Sequence, residues 1–251
     1  MLVKTEGIVL KNMKYKENDG ILTVFARKLG KVSVMARGAR SSKSKHLAGA
    51  QPLCYSDFVL YKGKSMYTLN HVDPIHNHYK LREDLDSLSA ASFFIELVDT
   101  VTIEGQSNNR LFNLFEESLG ALERKEGELS LHILRFLLQF LKFSGYEPYL
   151  KSCNQCGTGS SFRWVLNMEE GGLLCEDCQS EGRGLAKPLS KKGIRLANFL
   201  MVIDIEDLKE LKVHPKLIME LESVLKQYMM IHLDKTNFKS LDFLSKIRRD
   251  Y

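Results

Sequence analysis

Four cysteines constrain the fold of this chain more than any other feature of its sequence. They form two Cys-x-x-Cys pairs, and 18 residues separate the pairs. This spacing is a strong zinc signature, because each pair presents two thiolates from one tight turn and two such turns complete a tetrahedron. With four protein ligands the ion has no open position, so we expect one structural Zn²⁺ rather than a catalytic one. The predicted ligands are Cys153, Cys156, Cys175 and Cys178.

The segment between the two pairs is typical of a zinc ribbon. Phe162-Arg-Trp-Val-Leu166 has the composition of a strand, and Gly171-Gly172 provides a turn before the second pair. An iron–sulfur cluster and a redox dithiol remain as alternatives, although a thioredoxin-type pair would need a strand-to-helix junction that this segment does not show. Cys54 stands alone in a predicted strand and is interpreted as a core thiol.

The composition is that of a globular protein, with 44% apolar and 27% charged residues in 251. The longest apolar stretch, Leu129–Phe143, is too short to cross a bilayer, which takes about 20 residues. Lys4 and Glu6 interrupt the apolar start of the chain, so no signal peptide is expected. We therefore expect a cytoplasmic protein with reduced cysteines and no membrane contact.

Residues 1–76 have the pattern of short strands separated by turn signals, with Gly20, Gly30 and Gly63 in the turns. Five strands with one long interval, Arg37 to Pro52, predict an OB-type β-barrel, and an SH3-like barrel is the alternative. The interval could hold a loop or a short helix. The predicted strands are Val3–Leu10, Ile21–Arg27, Lys31–Ala36, Cys54–Tyr61 and Ser65–Val72.

From about residue 79 the apolar residues recur at helical spacing. Helices are predicted over 81–98, 109–122, 129–143, 190–202 and 215–233, and the third, apolar nearly all round, is expected at the centre of a bundle. The predicted fold is α+β and multidomain. Its parts are an OB-fold domain at 1–78, a helical domain at 79–148 and 184–251, and a zinc ribbon inserted at 149–183.

Charge is distributed unevenly along the chain. Residues 1–80 contain 14 Lys+Arg and 5 Asp+Glu, a net charge of +9, so residues 81–251 carry the remaining −4 of the total +5. A basic module fits a polyanion such as nucleic acid, and a solvated lysine-rich surface is the alternative. The candidate DNA contacts lie near the ends of the first and third strands and in the loop that follows: Lys14, Lys16, Lys31, Arg37, Arg40, Lys43 and Lys45.

Aromatic side chains close to these cations offer stacking surfaces for unpaired bases. The candidates are Tyr15, Phe25, Tyr55 and Tyr61.

No catalytic constellation is apparent in the sequence. Gly63-Lys64-Ser65 matches the end of a phosphate-binding loop, but that motif needs a glycine at position 58, which is Phe. A nucleotide is therefore not expected as a ligand. A second metal site at the histidine-rich end of the fifth strand is a minor alternative, because Pro74 lies within this group and the side chains need not converge. That group is His71, Asp73, His76 and His78.

The order of these parts resembles the RecO family of bacterial DNA repair and recombination mediators over essentially the whole chain. The resemblance rests on Thr5–Leu10, Tyr15–Asp19, Thr23–Phe25, Leu29–Lys31, Ala36–Arg40, the Cys-x-x-Cys-Gly pair, Leu185–Ser190 and Lys239–Leu244. It implies an OB barrel, a helical domain and, in many members, a four-cysteine ribbon. Lys31, Arg37 and Arg40 match family positions for DNA contact, whereas Lys43 and Lys45 follow from charge alone.

The resemblance further implies a non-enzymatic, nucleoid-associated protein of the bacterial cytoplasm. Such proteins bind single- and double-stranded DNA, anneal complementary strands and contact the C-terminal tail of the single-stranded-DNA-binding protein. With RecR they help to load RecA. Two other classes remain as alternatives: a zinc-ribbon enzyme acting on nucleic acid, and a zinc-ribbon protein–protein adaptor that does not itself bind DNA.

Overall fold

A closed five-stranded barrel begins the chain in the computed structural model, which describes residues 1–179 and 184–241. Its strands are β1 Leu2–Lys14, β2 Gly20–Ala26, β3 Gly30–Ala36, β4 Tyr55–Lys62 and β5 Tyr67–His76. They pair in the order β1-β2-β3-β5-β4, and β4 closes onto β1. The contact between β3 and β5 is parallel and all other pairs are antiparallel. This arrangement confirms the OB-type barrel over the SH3-like alternative.

The barrel forms because alternate residues of its strands are apolar. In β3 the buried positions Val32 and Val34 alternate with half-buried Lys31 and Ser33, as the period of two requires. Two alanines of the loop after β3 complete the interior. The core consists of Val9, Leu22, Val24, Ala26, Val32, Val34, Ala36, Ala39, Ala50, Phe58, Leu60, Leu69 and Val72.

Two strands extend beyond their predicted ends. β1 continues to Lys14 through a register shift between Val9 and Lys11, a bulge that bends the strand. β5 continues through Pro74 to His76, opposite the start of β4. The interval from Arg37 to Pro52 contains turns and no regular helix.

Two helices belong to the same compact unit as the barrel, which covers Met1–Arg124. A 3₁₀ turn, Tyr79–Glu83, leads into α1 Leu85–Val101, and α2 is Asn109–Arg124. The Asp84 side chain caps α1 by accepting from the Ser87 N–H at 2.9 Å. Gly30, with φ of 68°, lies so near the α1–α2 connection that a Cβ atom there would meet the Gln106 carbonyl oxygen at 2.1 Å.

The second compact unit begins at Lys125. It contains α3 Leu129–Phe143, α4 Lys191–Leu200, a 3₁₀ turn at Ile205–Glu210 and α5 Pro215–His232. Every residue of α3 from Leu131 to Leu141 is buried, which confirms its predicted central place. Two of its polar side chains are hydrogen-bonded to backbone there: Arg135 Nε donates to the Ile203 carbonyl at 3.0 Å, and Gln139 donates to that of Leu200 at 3.2 Å.

A small sheet lies between α3 and α4 in the sequence. Its strands are β6 Tyr149–Cys153, β7 Trp164–Asn167, β8 Gly172–Cys175 and β9 Ala186–Pro188, in the order β6-β8-β7-β9. This is the predicted ribbon. The structure has two compact units, and the division into three domains stays a prediction. Positions 180–183 of the predicted ribbon and 242–251 of the predicted helical domain lie outside the described residues. The same holds for Asp242–Leu244, which belong to the family resemblance. No helix among the described residues is long and apolar enough to span a membrane.

Candidate metal centre and nucleic-acid interface

The four predicted cysteine ligands converge on one point of the ribbon. Cys153 ends β6 and Cys175 ends β8, and each is followed by a turn that carries the second cysteine of its pair. The two turns are alike, because the Gly157 N–H donates to the Cys153 carbonyl at 2.9 Å and the Gln179 N–H to that of Cys175 at 3.0 Å. Gly157 has φ of 76°, which glycine adopts without strain. All four sulfur atoms lie within 4.8 Å of one another.

The sulfur spacing fits a tetrahedral metal ion. Zn–S bonds of about 2.3 Å place the ligand sulfurs about 3.8 Å apart, and the Sγ atoms of Cys156 and Cys175 are 3.7 Å apart. A backbone N–H, that of Cys175, also approaches Cys153 Sγ at 3.5 Å. Four soft thiolate donors in this arrangement could hold a metal ion and leave no position for a substrate.

The protonation of the cysteines also favours a bound cation. Burial opposes ionisation of Cys153, but backbone N–H groups of Cys156, Cys175 and Gln155 outweigh it and lower its pKa to about 6. Burial, together with the neighbouring thiols, raises the pKa of Cys178. The Cys153 thiolate therefore disfavours ionisation of Cys178, and a bound positive ion would relieve that repulsion.

The loop after β3 is fixed to the β1–β2 hairpin by three hydrogen bonds. The Gly38 N–H donates to Asp19 Oδ1 at 2.8 Å, and the Arg40 N–H donates to the Asn18 carbonyl at 3.0 Å. The Asn12 side chain donates to the Ala50 carbonyl at 2.9 Å. Because Ala39 and Ala50 are also buried in the barrel core, the loop backbone is held while its long side chains are exposed. Arg40 Nη1 also donates to Asn12 Oδ1 of the hairpin at 3.4 Å.

This attachment brings most of the predicted DNA contacts into one neighbourhood. Lys14 and Lys16 flank the tip of the hairpin to which the loop is bonded, and the loop carries the remaining cations. All are exposed, and within the described part of the chain none has a carboxylate within 4 Å. We call this set the basic face: Lys14, Lys16, Arg37, Arg40, Lys43 and Lys45.

Lys31 differs from the basic face because its charge is already compensated. Its Nζ donates to the Asp99 backbone carbonyl at 2.6 Å and lies 3.3 Å from Asp99 Oδ1, and Lys11 Nζ lies 2.6 Å from the other carboxylate oxygen. Burial opposes ionisation of Asp99, but the two lysines outweigh it and lower the pKa of that carboxyl group. A DNA contact by Lys31 stays a prediction, and it would compete with this internal ion pair.

Two of the four predicted stacking residues are not available to a base. Phe25 is fully buried, with its ring centroid 5.4 Å from that of Phe112 on α2. Tyr55 is half-buried, and its hydroxyl donates to Glu6 at 2.6 Å. The prediction was wrong for Phe25 because a helix covers the outer side of β2. Tyr15 and Tyr61 are exposed, and Tyr15 lies in the hairpin beside Lys16, whose Nζ is 5.8 Å from its ring centroid.

The histidine-rich end of β5 separates into two groups. His71 pairs with Asp73 at 2.9 Å, whereas His76 and His78 both contact Glu123 of α2, at 2.6 and 3.2 Å. These atoms lie close enough to hold a metal ion, but their mutual hydrogen bonds account for the arrangement. Burial lowers the pKa of His78 to about 4. Sequence reasoning missed Glu123, because nothing local marks a partner 45 residues away.

Comparison with known proteins extends over both compact units. The family models "Recombination protein O N terminal" and "Recombination protein O C terminal" match residues 1–78 and 82–242. The chain is 47% identical to the DNA repair protein RecO of Alkaliphilus metalliredigens over 98% of its own length and 100% of the relative's. It is 36% identical to that of Acetivibrio thermocellus, over 98% of both chains, and 31% identical to that of Clostridium acetobutylicum, over 99% of both.

Proposed function

The chain belongs to the RecO family of DNA repair and recombination proteins, and from this we propose that it is a non-enzymatic DNA-binding recombination mediator whose basic face contacts DNA phosphates. The observation that carries the proposal is the basic face itself. Six exposed cations lie on a backbone fixed to the barrel, and within the described residues no carboxylate neutralises them.

Backbone electrostatics would provide the affinity. Each lysine or arginine that neutralises a phosphate releases a condensed counterion, so affinity falls steeply as salt is added. The arginines can hold phosphate oxygens with two parallel hydrogen bonds, and the turn at Gly38 (φ 64°) leaves the loop backbone accessible. Tyr15 would add stacking on unpaired bases. Since neither phosphates nor ring faces encode sequence, we expect binding to single- and double-stranded DNA with weak sequence preference.

Annealing follows from the same charges. Two complementary strands repel each other through their phosphates, and cations that neutralise phosphates on both would lower that repulsion without a covalent step. The partners we propose are RecR, the C-terminal tail of the single-stranded-DNA-binding protein and, indirectly, the RecA recombinase. These partners belong to the proposal through the family, because no described residue of the helical unit marks where they bind.

We also propose that the four cysteines hold one Zn²⁺ with a structural role. The ion would supply the positive charge that lets Cys153, Cys156, Cys175 and Cys178 ionise together. It would cross-link two turns whose strands are only four or five residues long. With its coordination filled, it would not activate water or substrate.

The basic face is tested by replacing Arg37 and Arg40 with Ala in the full-length protein. The matched control replaces Lys62 and Lys64, which are exposed at the β4–β5 turn of the same unit, so the change in net charge is identical. Fluorescence anisotropy is recorded with a single-stranded and a double-stranded oligonucleotide of several sequences, between 50 and 200 mM salt and without ATP.

We expect the Arg37/Arg40 variant to lose affinity for every sequence alike. The slope of log affinity against log salt should flatten by about 0.9 per lost phosphate contact on duplex DNA and about 0.7 on single strands. The Lys62/Lys64 control should stay close to the wild type. An unchanged affinity and slope in the arginine variant would remove the basic face from DNA binding, and no DNA binding by the wild type would favour the adaptor alternative.

A further inference from the structure

A cleft of about 630 Å³ lies in the second compact unit, between the ribbon and α4. Residues of β6, β7 and the 159–161 segment line one side, and residues 191–198 line the other. Two hydrogen bonds connect the ribbon to α4 and to the residue before its cap: the Asn198 side chain donates to the Leu150 carbonyl at 3.1 Å, and the Leu189 N–H donates to the Trp164 carbonyl at 3.0 Å. The cleft is therefore built into the fold and does not depend on a mobile segment.

Three cations line this cleft. Lys151, Lys191 and Arg195 are exposed, and no Asp or Glu is among the described lining residues. Each of the three also lacks a carboxylate within 4 Å in the described part of the chain. Residues 81–251 carry a net charge of −4, so the cleft has a local excess of positive charge within a part of the chain that is negative as a whole. The cleft is thus suited to an anionic ligand.

An aromatic ring stands beside these cations and is almost fully exposed. Phe162, two residues before the start of β7, is 89% exposed, and Lys191 Nζ lies 5.8 Å from its ring centroid. Trp164, two residues later, lines the cleft but is only 8% exposed. A large apolar side chain so far into solvent buries nothing within the described chain, whereas its flat face is what an unpaired base needs for stacking.

We propose that this ribbon cleft is a second binding surface for single-stranded nucleic acid, separate from the basic face. Lys151, Lys191 and Arg195 contact successive phosphates, and a base stacks on Phe162. An acidic peptide would also satisfy the cations, but it would not use the flat, exposed ring of Phe162, which lies outside the cleft lining. The observations therefore favour alternating phosphates and bases. The inference rests on the proposed function in taking DNA as the ligand, but it depends on different residues.

The chain's single tryptophan makes the cleft directly observable. Trp164 lines the cleft, so its intrinsic fluorescence reports occupancy there without a label. The full-length protein is titrated with a thymidine oligonucleotide while fluorescence and anisotropy are recorded in parallel. The variants are Phe162→Ala and the pair Lys191→Gln with Arg195→Gln. The controls are Phe199→Ala, an exposed aromatic of α4 outside the lining, and the pair Lys212→Gln with Lys216→Gln, which removes the same charge elsewhere in this unit.

We expect the oligonucleotide to change Trp164 fluorescence in the wild type and in both controls. Phe162→Ala should weaken the fluorescence-detected binding by about five- to a hundred-fold, the range of one lost base–aromatic stack. The Lys191/Arg195 variant should flatten its salt slope by about 1.4, two contacts at about 0.7 each. Thermal unfolding of each variant establishes that it is folded, and the conservative Arg195→Lys should restore part of the affinity.

Three outcomes would overturn the inference. The first is no change of Trp164 fluorescence on DNA binding, and the second is unchanged affinity in both folded cleft variants. The third is a change of Trp164 fluorescence with poly-glutamate but not with DNA, which would show that the ligand of the cleft is an acidic polypeptide. The Arg37/Arg40 variant separates this inference from the proposed function. If that variant loses DNA affinity while DNA leaves the Trp164 fluorescence of the wild type unchanged, the basic face binds DNA and the cleft does not.

Discussion

The barrel and the ribbon are both small β structures, but different forces hold them together. The barrel closes five strands of seven to thirteen residues around a cluster of 13 buried side chains. The ribbon has strands of three to five residues, and four of its side chains are the cysteines that converge on one point. So short a sheet is marginally stable by itself, and the proposed metal cross-link would compensate for its small apolar core.

The comparison shows how each region can carry a ligand. The barrel's core lies inside its strands, so the loop after β3 can present cations outward with only two alanines tied into the interior. In the ribbon the four cysteines could hold a metal ion, so contact with any further ligand would fall to its other residues. The charged residues of the barrel are therefore separate from its core, whereas the stability of the ribbon would depend on the proposed metal ion.

The largest expected effect would come from removing a ribbon ligand. Cys175→Ser should abolish the metal site and unfold the ribbon, because structural zinc contributes on the order of 10 kcal/mol to folding in small zinc domains. Metal content by mass spectrometry and hydrogen exchange over 149–179 measure this. Cys54→Ser, at a buried thiol of the barrel unit, is the control that should keep its zinc. A Cys175→Ser protein with full thermal stability but no DNA binding would reverse the roles assigned to the two regions.

A second prediction concerns the barrel's own packing. Phe25→Ala should destabilise the barrel unit by about 3–5 kcal/mol, because it leaves a cavity against Phe112. Urea denaturation monitored by circular dichroism measures the loss. Tyr15→Ala, in contrast, should leave stability nearly unchanged and weaken the binding of single-stranded DNA. If the Phe25 variant stayed stable and lost only DNA affinity, the stacking role predicted from the sequence would be restored.

Acid should reduce the stability of the barrel unit where His76 and His78 contact Glu123 of α2, a contact we call the β5–α2 junction. Burial holds the pKa of His78 at about 4, below its ordinary 6.5, so the unfolded chain takes up a proton more readily between these values. Stability should therefore fall as pH decreases from about 6.5 to 4, by at most about 3 kcal/mol. The Glu123 carboxyl acts in the same direction, because its hydrogen bonds to the histidines and the Lys80 N–H outweigh burial and lower its pKa.

His78→Asn tests this junction, since asparagine tolerates the left-handed backbone at position 78, where φ is 46°. Melting temperatures between pH 4 and 7 should depend less on pH in this variant than in the wild type. His71→Asn, in β5, is the matched control. If the melting temperature depends on pH equally in the wild type and the His78 variant, protonation of His78 does not contribute to the loss of stability in acid.

The smallest predicted effect is a gain. Asp99→Asn removes the carboxylate charge that pairs with Lys11 and Lys31, so Lys11 is released and Lys31 keeps only its hydrogen bond to the backbone carbonyl of residue 99. Affinity for single-stranded DNA should rise, and the salt slope should steepen by about 0.7 for each new contact. Lys31→Ala in the wild type should weaken binding less than Arg37→Ala. A slope that Asp99→Asn leaves unchanged would place Lys31 outside the interface altogether.

Local patterns in the sequence predict much of this molecule. The cysteine spacing determines the ribbon, the alternation in β3 determines a strand with one buried face, and the helix at 129–143 is found where it was predicted. What failed depends on partners distant in sequence. β2 contains the run Val24-Phe25-Ala26, and consecutive apolar residues do not reveal that Phe112 covers one of them. The compensation of Lys31 by Asp99, 68 residues away, was equally invisible.

The tight approach of Gly30 to Gln106 has a practical consequence for fragment design. A barrel expressed alone to residue 78 would lose the connection that Gly30 contacts, uncover Phe25 where Phe112 had packed, and leave Tyr55 without one of its aromatic neighbours. We expect such a truncated protein to expose apolar surface, to aggregate and to be poorly soluble. A fragment ending at Arg124 keeps these contacts of the barrel with α2 and with the connection before it, and is the better choice for isolating the barrel in solution.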